Sequence, residues 1–279
     1  MSRIQDILKK AEREGTVHRT RAVASDGPPA GASAAAAMAM PGPMPRVEGR
    51  EPAPVDASLD RLLVAAHAPQ SLAAEQYRSL RTRIKNAEQG RTVRSILITS
   101  PNKGDGKSLT AANLALTMAQ EFQQRVLLVD GDLRQPSIHR LFGIPDVPGL
   151  ADVLMGGVAL DDAVVSIAQH RLSVLPSGPL PTHPAELLGS AGMRRALDTL
   201  RARYDRVIVD MPPVEPLADV STALGMVDGL LMIVRAGATP KPAIERALAG
   251  LDTAKILGLV LNDAVEGGSY RDGYQYVAG

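Results

Sequence analysis

Short, near-continuous runs of Val, Ile and Leu alternate along this chain with stretches in which apolar residues return every three to four positions. Runs of the first kind fall at 95–99, 125–132, 172–176, 206–210, 229–235 and 256–262. Polar residues hardly interrupt them, which predicts strands buried on both faces. Stretches of the second kind predict helices over 107–122, 191–203, 216–226 and 240–255. Strands alternating with helices imply an α/β fold, a parallel sheet sandwiched by helices. One more helix is expected from a Ser71 cap to residue 87, with Ala73, Tyr77, Leu80 and Ile84 as its buried seam. Glu75, Arg78 and Arg81 climb its other side three residues apart, the spacing of a solvated ion-pair ladder.

The pattern is weaker at both ends. Residues 1–22 predict a short amphipathic helix, with Ile4, Ile7, Leu8 and Ala11 on one face and Arg3, Lys9, Lys10 and Arg13 around them. Such a helix suits a partner or an anionic lipid surface, and equally a cap on its own domain. Residues 23–56 are rich in Pro, Ala and Gly and read as a disordered linker. The folded domain is then expected over 58–265, followed by a tail over 266–279. Of five tyrosines, Tyr270, Tyr274 and Tyr276 fall in that glycine-rich tail, which suggests substrates rather than core.

The chemistry begins where the first strand ends. Thr99-Ser-Pro-Asn-Lys-Gly-Asp-Gly-Lys-Ser108 joins that strand to a helix marked by Ala111, Leu114, Ala115 and Met118. Strand, glycine loop and helix in that order are the setting of a phosphate-binding loop. Gly104 and Gly106 let backbone N–H groups turn toward an anion at the helix N-terminus. Lys107 would reach the β- and γ-phosphates, and the Ser108 hydroxyl would hold Mg²⁺. The second predicted strand ends in Asp130 and Asp132, and the fourth in Asp210. Carboxylates at strand ends beside such a loop suit a Mg-nucleotide site, and Asp130 and Asp132 are candidates for a base toward an acceptor hydroxyl.

Composition narrows the setting. A formal charge of +1 gives no reason to expect bulk capture of nucleic acid. Without cysteine the chain has no disulfide or thiolate metal site, and its five histidines are too scattered for zinc. No apolar run approaches the roughly 18 residues of a membrane-spanning helix, so membrane attachment is expected to come from a partner.

Residues 68–276 resemble the bacterial tyrosine kinases of capsule and exopolysaccharide synthesis, in the MinD/ParA-like branch of P-loop NTPases. The resemblance rests on the loop, followed by Ala112-Asn-Leu-Ala115, and on Leu128-Val-Asp-Gly-Asp-Leu-Arg-Gln-Pro136 with His139 and Phe142. Leu175-Pro-Ser-Gly178, Pro184-Ala-Glu-Leu-Leu188, Tyr204-Asp-Arg-Val-Ile-Val-Asp-Met-Pro-Pro213, Asp228-Gly229, Val234-Arg235 and Gly258-Leu-Val-Leu-Asn262 extend it. It implies an ATP-dependent protein-tyrosine autokinase, with Gly104, Asp105, Gly106, Lys107, Ser108, Leu109 and Asn262 binding ATP. Ser108, Asp132 and Asp210 would hold Mg²⁺, and Asp130 would be the base. It also turns Glu75, Arg78 and Arg81 from a solvated ladder into an oligomerisation motif for a homo-oligomeric ring. Tyr270, Tyr274 and Tyr276 become tail acceptors phosphorylated in trans. The implied partners are a transmembrane polysaccharide co-polymerase of the chain-length-regulator type and a tyrosine phosphatase. The implied place is the cytoplasmic side of the inner membrane, reached through that partner. The opening Met-Ser-Arg-Ile4 resembles the exosortase-associated subgroup. Pro101 stands where the general loop pattern has its first glycine, and Asn102 where MinD/ParA proteins carry a signature lysine, with Lys103 next to it. The alternative is a MinD/ParA-like ATPase acting as a non-kinase switch or scaffold.

Overall fold

The structure is a computed structural model that describes residues 52–54, 57–88, 90–121, 124–214 and 219–264. The amphipathic segment 1–22 and the tail tyrosines Tyr270, Tyr274 and Tyr276 lie outside these residues. Among the described residues eight strands form one sheet: β1 (Ala53–Pro54), β2 (Ser95–Thr99), β3 (Val126–Asp130), β4 (Val165–Ile167), β5 (Leu172–Leu175), β6 (Arg206–Asp210), β7 (Gly229–Arg235) and β8 (Ile256–Asn262). Their order is β1-β4-β5-β3-β6-β2-β7-β8. Every pairing is parallel except β4 with β5. The helices are α1 (Val64–His67), α2 (Leu72–Ala87), α3 (Lys107–Ala119), α4 (Ile138–Phe142), α5 (Leu150–Leu154), α6 (Leu160–Ala163), α7 (Pro184–Leu188), α8 (Ala191–Arg203), α9 (Asp219–Leu224) and α10 (Lys241–Ala249).

The sheet is covered on both faces. Ile96, Ile98, Val126, Leu128, Ile208, Leu231 and Ile233 share one face, and there they pack with Ala111, Leu114, Ala115 and Met118 of α3. Leu97, Leu127, Val129, Val207, Val209 and Met232 alternate with them and are equally buried, alongside Met193, Leu197 and Leu200 of α8. All of α3 except Ser108 and Leu109 is buried. That helix is therefore held by the core on nearly every side, and so is the loop that opens it. Truncating a residue such as Leu128 to Ala would cost about 2–5 kcal/mol.

Local chemistry sets the element ends. Ser71 accepts from Ala74 N and starts α2, as its capping position requires, while Ser190 does the same for α8 through Met193 N. Four differences from the sequence expectation have physical reasons. Residues 53–54, expected in the linker, pair with Val165 and Ser166 at the sheet edge, where Pro54 needs no N–H for a further neighbour. Strand β3 stops at Asp130 rather than 132: Gly131 N makes the last ladder bond, to Asp210 O at 2.8 Å, and Asp132 N turns back onto Asp130 Oδ1 at 3.2 Å. The helix expected over 240–255 ends at Ala249; after Gly250, Asp252 accepts from Ala254 N and opens a separate 3₁₀ turn, Thr253–Lys255. Strand β4, only three residues and half-buried, carries too little pattern to be read, and it makes the sheet mixed rather than wholly parallel.

Candidate functional site

The order of the strands assembles the site. Strand β6 lies between β2, which feeds the loop, and β3. Asp130 and Asp210 are direct register partners at the carboxyl ends of β3 and β6. The loop after β2 turns through Gly104 (φ +89°) and Gly106 (φ +93°), in the left-handed region that glycine reaches without strain. Gly106 meets a second constraint, since a Cβ there would lie 2.1 Å from Asn262 Nδ2. Nothing lies within 4 Å of the corresponding point on Gly104, so that side of the loop is open.

Lys107 Nζ is the meeting point of the acids. It donates to Ser108 Oγ at 3.0 Å and to both Asp210 oxygens at 3.3 Å, and it lies 2.8 Å from Asp132 Oδ2. Burial works against the lysine's charge, but the Asp210 and Asp132 carboxylates outweigh it and push its pKa above the ordinary value. Burial also pushes Asp210 up, against the pull of Lys107 and Ser108.

Asp130 is wholly buried. Its Oδ1 accepts from Asp132 N at 3.2 Å, and its Oδ2 accepts from Ser137 N and Ile138 N, each at 3.0 Å, at the start of α4. Burial, followed by the charge of Asp210, raises its pKa to about 7 despite those hydrogen bonds. A carboxylate offers about four acceptor positions. Among the described residues three are filled, two on Oδ2 and one on Oδ1.

The group as a whole has three carboxylates against one ammonium, all confined by core. Hard oxygen donors in negative excess suit a divalent cation such as Mg²⁺, and open N–H groups at the head of a helix suit phosphate. The residues present thus fit a Mg-nucleotide.

Two residues expected to touch nucleotide brace the loop with their side chains instead. Asp105 Oδ2 accepts from Asn102 N at 2.9 Å, while its Oδ1 accepts from Thr239 Oγ1 at 2.8 Å. Asn262 Nδ2 donates to Asp105 O at 3.0 Å. Only their backbone and remaining edges are left to face a ligand. Leu109 follows Ser108 in the first turn of α3.

Sequence reasoning missed Gly131, where a Cβ would lie 2.8 Å from Met211 Sδ and 2.9 Å from Asp210 O. It also missed Thr239, and the Ser137 and Ile138 amides that hold Asp130. Pro136-Ser137 before an apolar turn is a helix-start signal that could have pointed to the last pair. Helix α2 carries the remaining candidates. Arg78 Nε donates to Glu75 Oε2 at 2.7 Å, the ladder that the spacing predicts. Arg81 leaves it, donating to Thr117 O at 2.8 Å and pairing with Glu121 at 3.3 Å.

Residues 93–253 match the family described as an AAA domain. The tyrosine-protein kinase YwqD of Bacillus subtilis is 40% identical over 206 residues, covering 73% of this chain and 86% of that protein. The crystal structure of the chimerical protein CapA2B2 superposes with a TM-score of 0.68 at 34% identity, over 75% of this chain and 93% of that one. The kinase domain of the Escherichia coli tyrosine kinase ETK gives 0.70 at 27% identity, over 85% and 89% respectively.

Proposed function

The chain belongs to the bacterial tyrosine-protein kinase family, and from that premise we propose that it transfers the γ-phosphoryl group of ATP to tyrosine hydroxyls. Its role is to regulate capsular or exopolysaccharide polymerisation and export. The observation that carries this reading is the convergence of Ser108, Asp132 and Asp210 on Lys107 Nζ within 3.3 Å.

The loop amides from Gly104 to Leu109 bind the phosphates, and Lys107 leaves its carboxylate partners to neutralise charge on the β- and γ-phosphoryl oxygens. Mg²⁺ held by Ser108, Asp132 and Asp210 would supply further neutralisation of the triphosphate. Asp130 takes the proton of the acceptor tyrosine on Oδ1. The phenol oxygen bonds to the γ-phosphorus, the bond from that phosphorus to the β–γ bridging oxygen breaks, and ADP leaves with the electron pair. A base with a pKa of about 7 is matched to this work at neutral pH.

The acceptors are Tyr270, Tyr274 and Tyr276 of a neighbouring protomer. A ring built through Glu75, Arg78 and Arg81 brings them to the site. Glu75 supports the ring, because its side chain is 62% exposed and available to a second chain. Among the described residues no helix is long and apolar enough to cross a membrane. A transmembrane co-polymerase is the proposed activator and membrane tether, and a tyrosine phosphatase reverses the modification.

The test is incubation of the purified chain with γ-labelled ATP and Mg²⁺, with the activator's cytoplasmic segment present. Lys107→Met and a Tyr270/Tyr274/Tyr276→Phe triple variant are run beside it. Label on tyrosine that is lost in both variants supports the kinase. Phosphate release with no labelled protein would point to an ATPase switch.

A further inference from the structure

The phosphate loop holds a conformation that its own residues do not enforce. Gly104 and Gly106 both sit at positive φ, and the open side of Gly104 gives no wall to lean on. Glycine reaches that region without strain but leaves it as easily, so contacts from other residues decide whether the loop keeps this shape. Here the fixing contacts run through Asp105, which is 4% exposed. One carboxylate oxygen takes Asn102 N from within the loop. The other takes the Thr239 hydroxyl, from the turn between β7 and α10. That hydroxyl has a single proton, committed to Asp105, and it accepts from Arg235 N at 2.9 Å. The turn is itself tight: Thr239 N returns to Arg235 O at 3.0 Å, through Gly237 at φ +68°. Asn262 completes the clamp from the end of β8.

We infer that Thr239 is a positioning residue for nucleotide phosphate, acting through Asp105 to hold the loop amides in their anion-binding arrangement before a ligand arrives. Thr239 touches no reacting atom. Its contribution is preorganisation: without the hydroxyl, the loop must be ordered at the moment of binding, and affinity falls by that amount. The inference rests on the nucleotide reading of the site and adds to it the element that tunes affinity.

The experiment measures MgADP binding by calorimetry and tyrosine phosphorylation kinetics on the full chain. Wild type is compared with Thr239→Val, Thr239→Ser, Asp105→Asn and the Thr239→Val/Asp105→Asn double variant. Valine keeps the shape and removes both hydrogen bonds, so the MgADP Kd and the KM for MgATP should each rise about tenfold, a typical loss for a hydrogen bond to a buried charge. The kcat should stay within about twofold, and serine should restore wild-type values. The double variant should bind no worse than the weaker single one, since both act through one bond.

Three outcomes would overturn the proposal. One is a Thr239→Val chain that binds MgADP like wild type while Lys107→Met does not. Another is a lower kcat and melting temperature with KM unmoved, which means simple loss of folded protein. If Thr239→Val fails to fold, Asp105→Asn alone decides: unchanged affinity sinks the inference, and a rise of about tenfold supports it. A wild-type chain with no affinity for MgADP would remove the nucleotide reading, and this inference with it.

Discussion

The two ends of the central strands both gather charge, and they treat it in opposite ways. At the amino end, Asp228 accepts from Arg94 N, Ser95 N and Ser95 Oγ, each at 2.9 Å, and from Arg201 Nη2 at 2.7 Å. Burial works against that carboxyl's charge, but these partners outweigh it and hold its pKa below the ordinary value. At the carboxyl end, Asp130 receives three hydrogen bonds against the four of Asp228, and its pKa rises to about 7. The difference lies in burial and in the second acid, Asp210, directly across the register. A charge matched by its own chain stiffens the fold and asks for nothing more. A surplus of buried like charge is a cost that a bound cation and substrate can relieve, and such surplus marks functional sites. The carboxyl end is also where ligands of open α/β sheets collect.

Removing one cation from each end gives the largest contrast. Lys107→Met should lower tyrosine phosphorylation by about 10³-fold, the scale of losing a preorganised charge at a transferring group. Arg201→Met, which strips Asp228 of its guanidinium, should leave the rate within about twofold and reduce stability by about 1–2 kcal/mol. Rates from labelled ATP and urea midpoints separate the two. Equal rate losses in both variants would erase the distinction.

The titration of Asp130 comes next. Only its ionised form can take the tyrosine proton, and the ionised fraction falls about tenfold per unit below the pKa. Phosphorylation at limiting MgATP, which reports the free enzyme, should therefore drop about fivefold between pH 7 and pH 6, then level off above about pH 8. Carboxyl NMR of Asp228 should show no titration between pH 5 and pH 8, because its pKa lies below the ordinary carboxylate value. A flat rate profile across pH 6–8 would remove Asp130 from the role of base.

A smaller effect compares two glycines. In Gly131→Ala the new methyl meets Met211 Sδ at 2.8 Å and Asp210 O at 2.9 Å, pushing apart the two strand ends that carry the acids. The expected cost is about 1–3 kcal/mol, with weakened MgADP binding. Gly90, near the amino end, has φ +80° and open space around it. There alanine should cost only the left-handed backbone strain, about 1–2 kcal/mol, with binding intact.

How far the sequence could be read follows from the range of each interaction. The loop, its strand and its helix are contiguous, so 95–108 is legible from spacing alone. Asp130 and Asp210 are legible for a related reason: each ends an apolar run, and parallel register then places them side by side. The partners of Asp105 and Asp228 were not legible, since Thr239 and Ser95 lie more than a hundred residues away along the chain. No local pattern announces such a bond. The same holds for Gly131, whose need for a missing side chain comes from another strand. Arg81 taught the reverse. Its three-residue spacing from Arg78 suggested a single ladder, but the carbonyl at the end of α3 and Glu121 compete successfully for its guanidinium.

The smallest expected effect concerns the cleft at the amino end, which has the size of a ligand site. It encloses about 350 Å³ and is lined by Lys85, Glu88, Arg91, Arg94, Gln124 and Arg206 among others. Its guanidinium groups are already engaged. Arg206 bonds Val93 O and pairs with Glu88 at 2.6 Å, Arg94 donates to Arg201 O at 3.3 Å, and Arg91 donates to Ala254 O at 3.1 Å. Of these arginines Arg91 is the exposed one, and a single exposed contact contributes little. Arg91→Ala should therefore shift stability by less than about 0.5 kcal/mol and leave MgADP affinity unchanged. A loss well above 1 kcal/mol, or any change in affinity, would mean that the amino end does more than brace the strands, and that the contrast between the two ends is too sharply drawn.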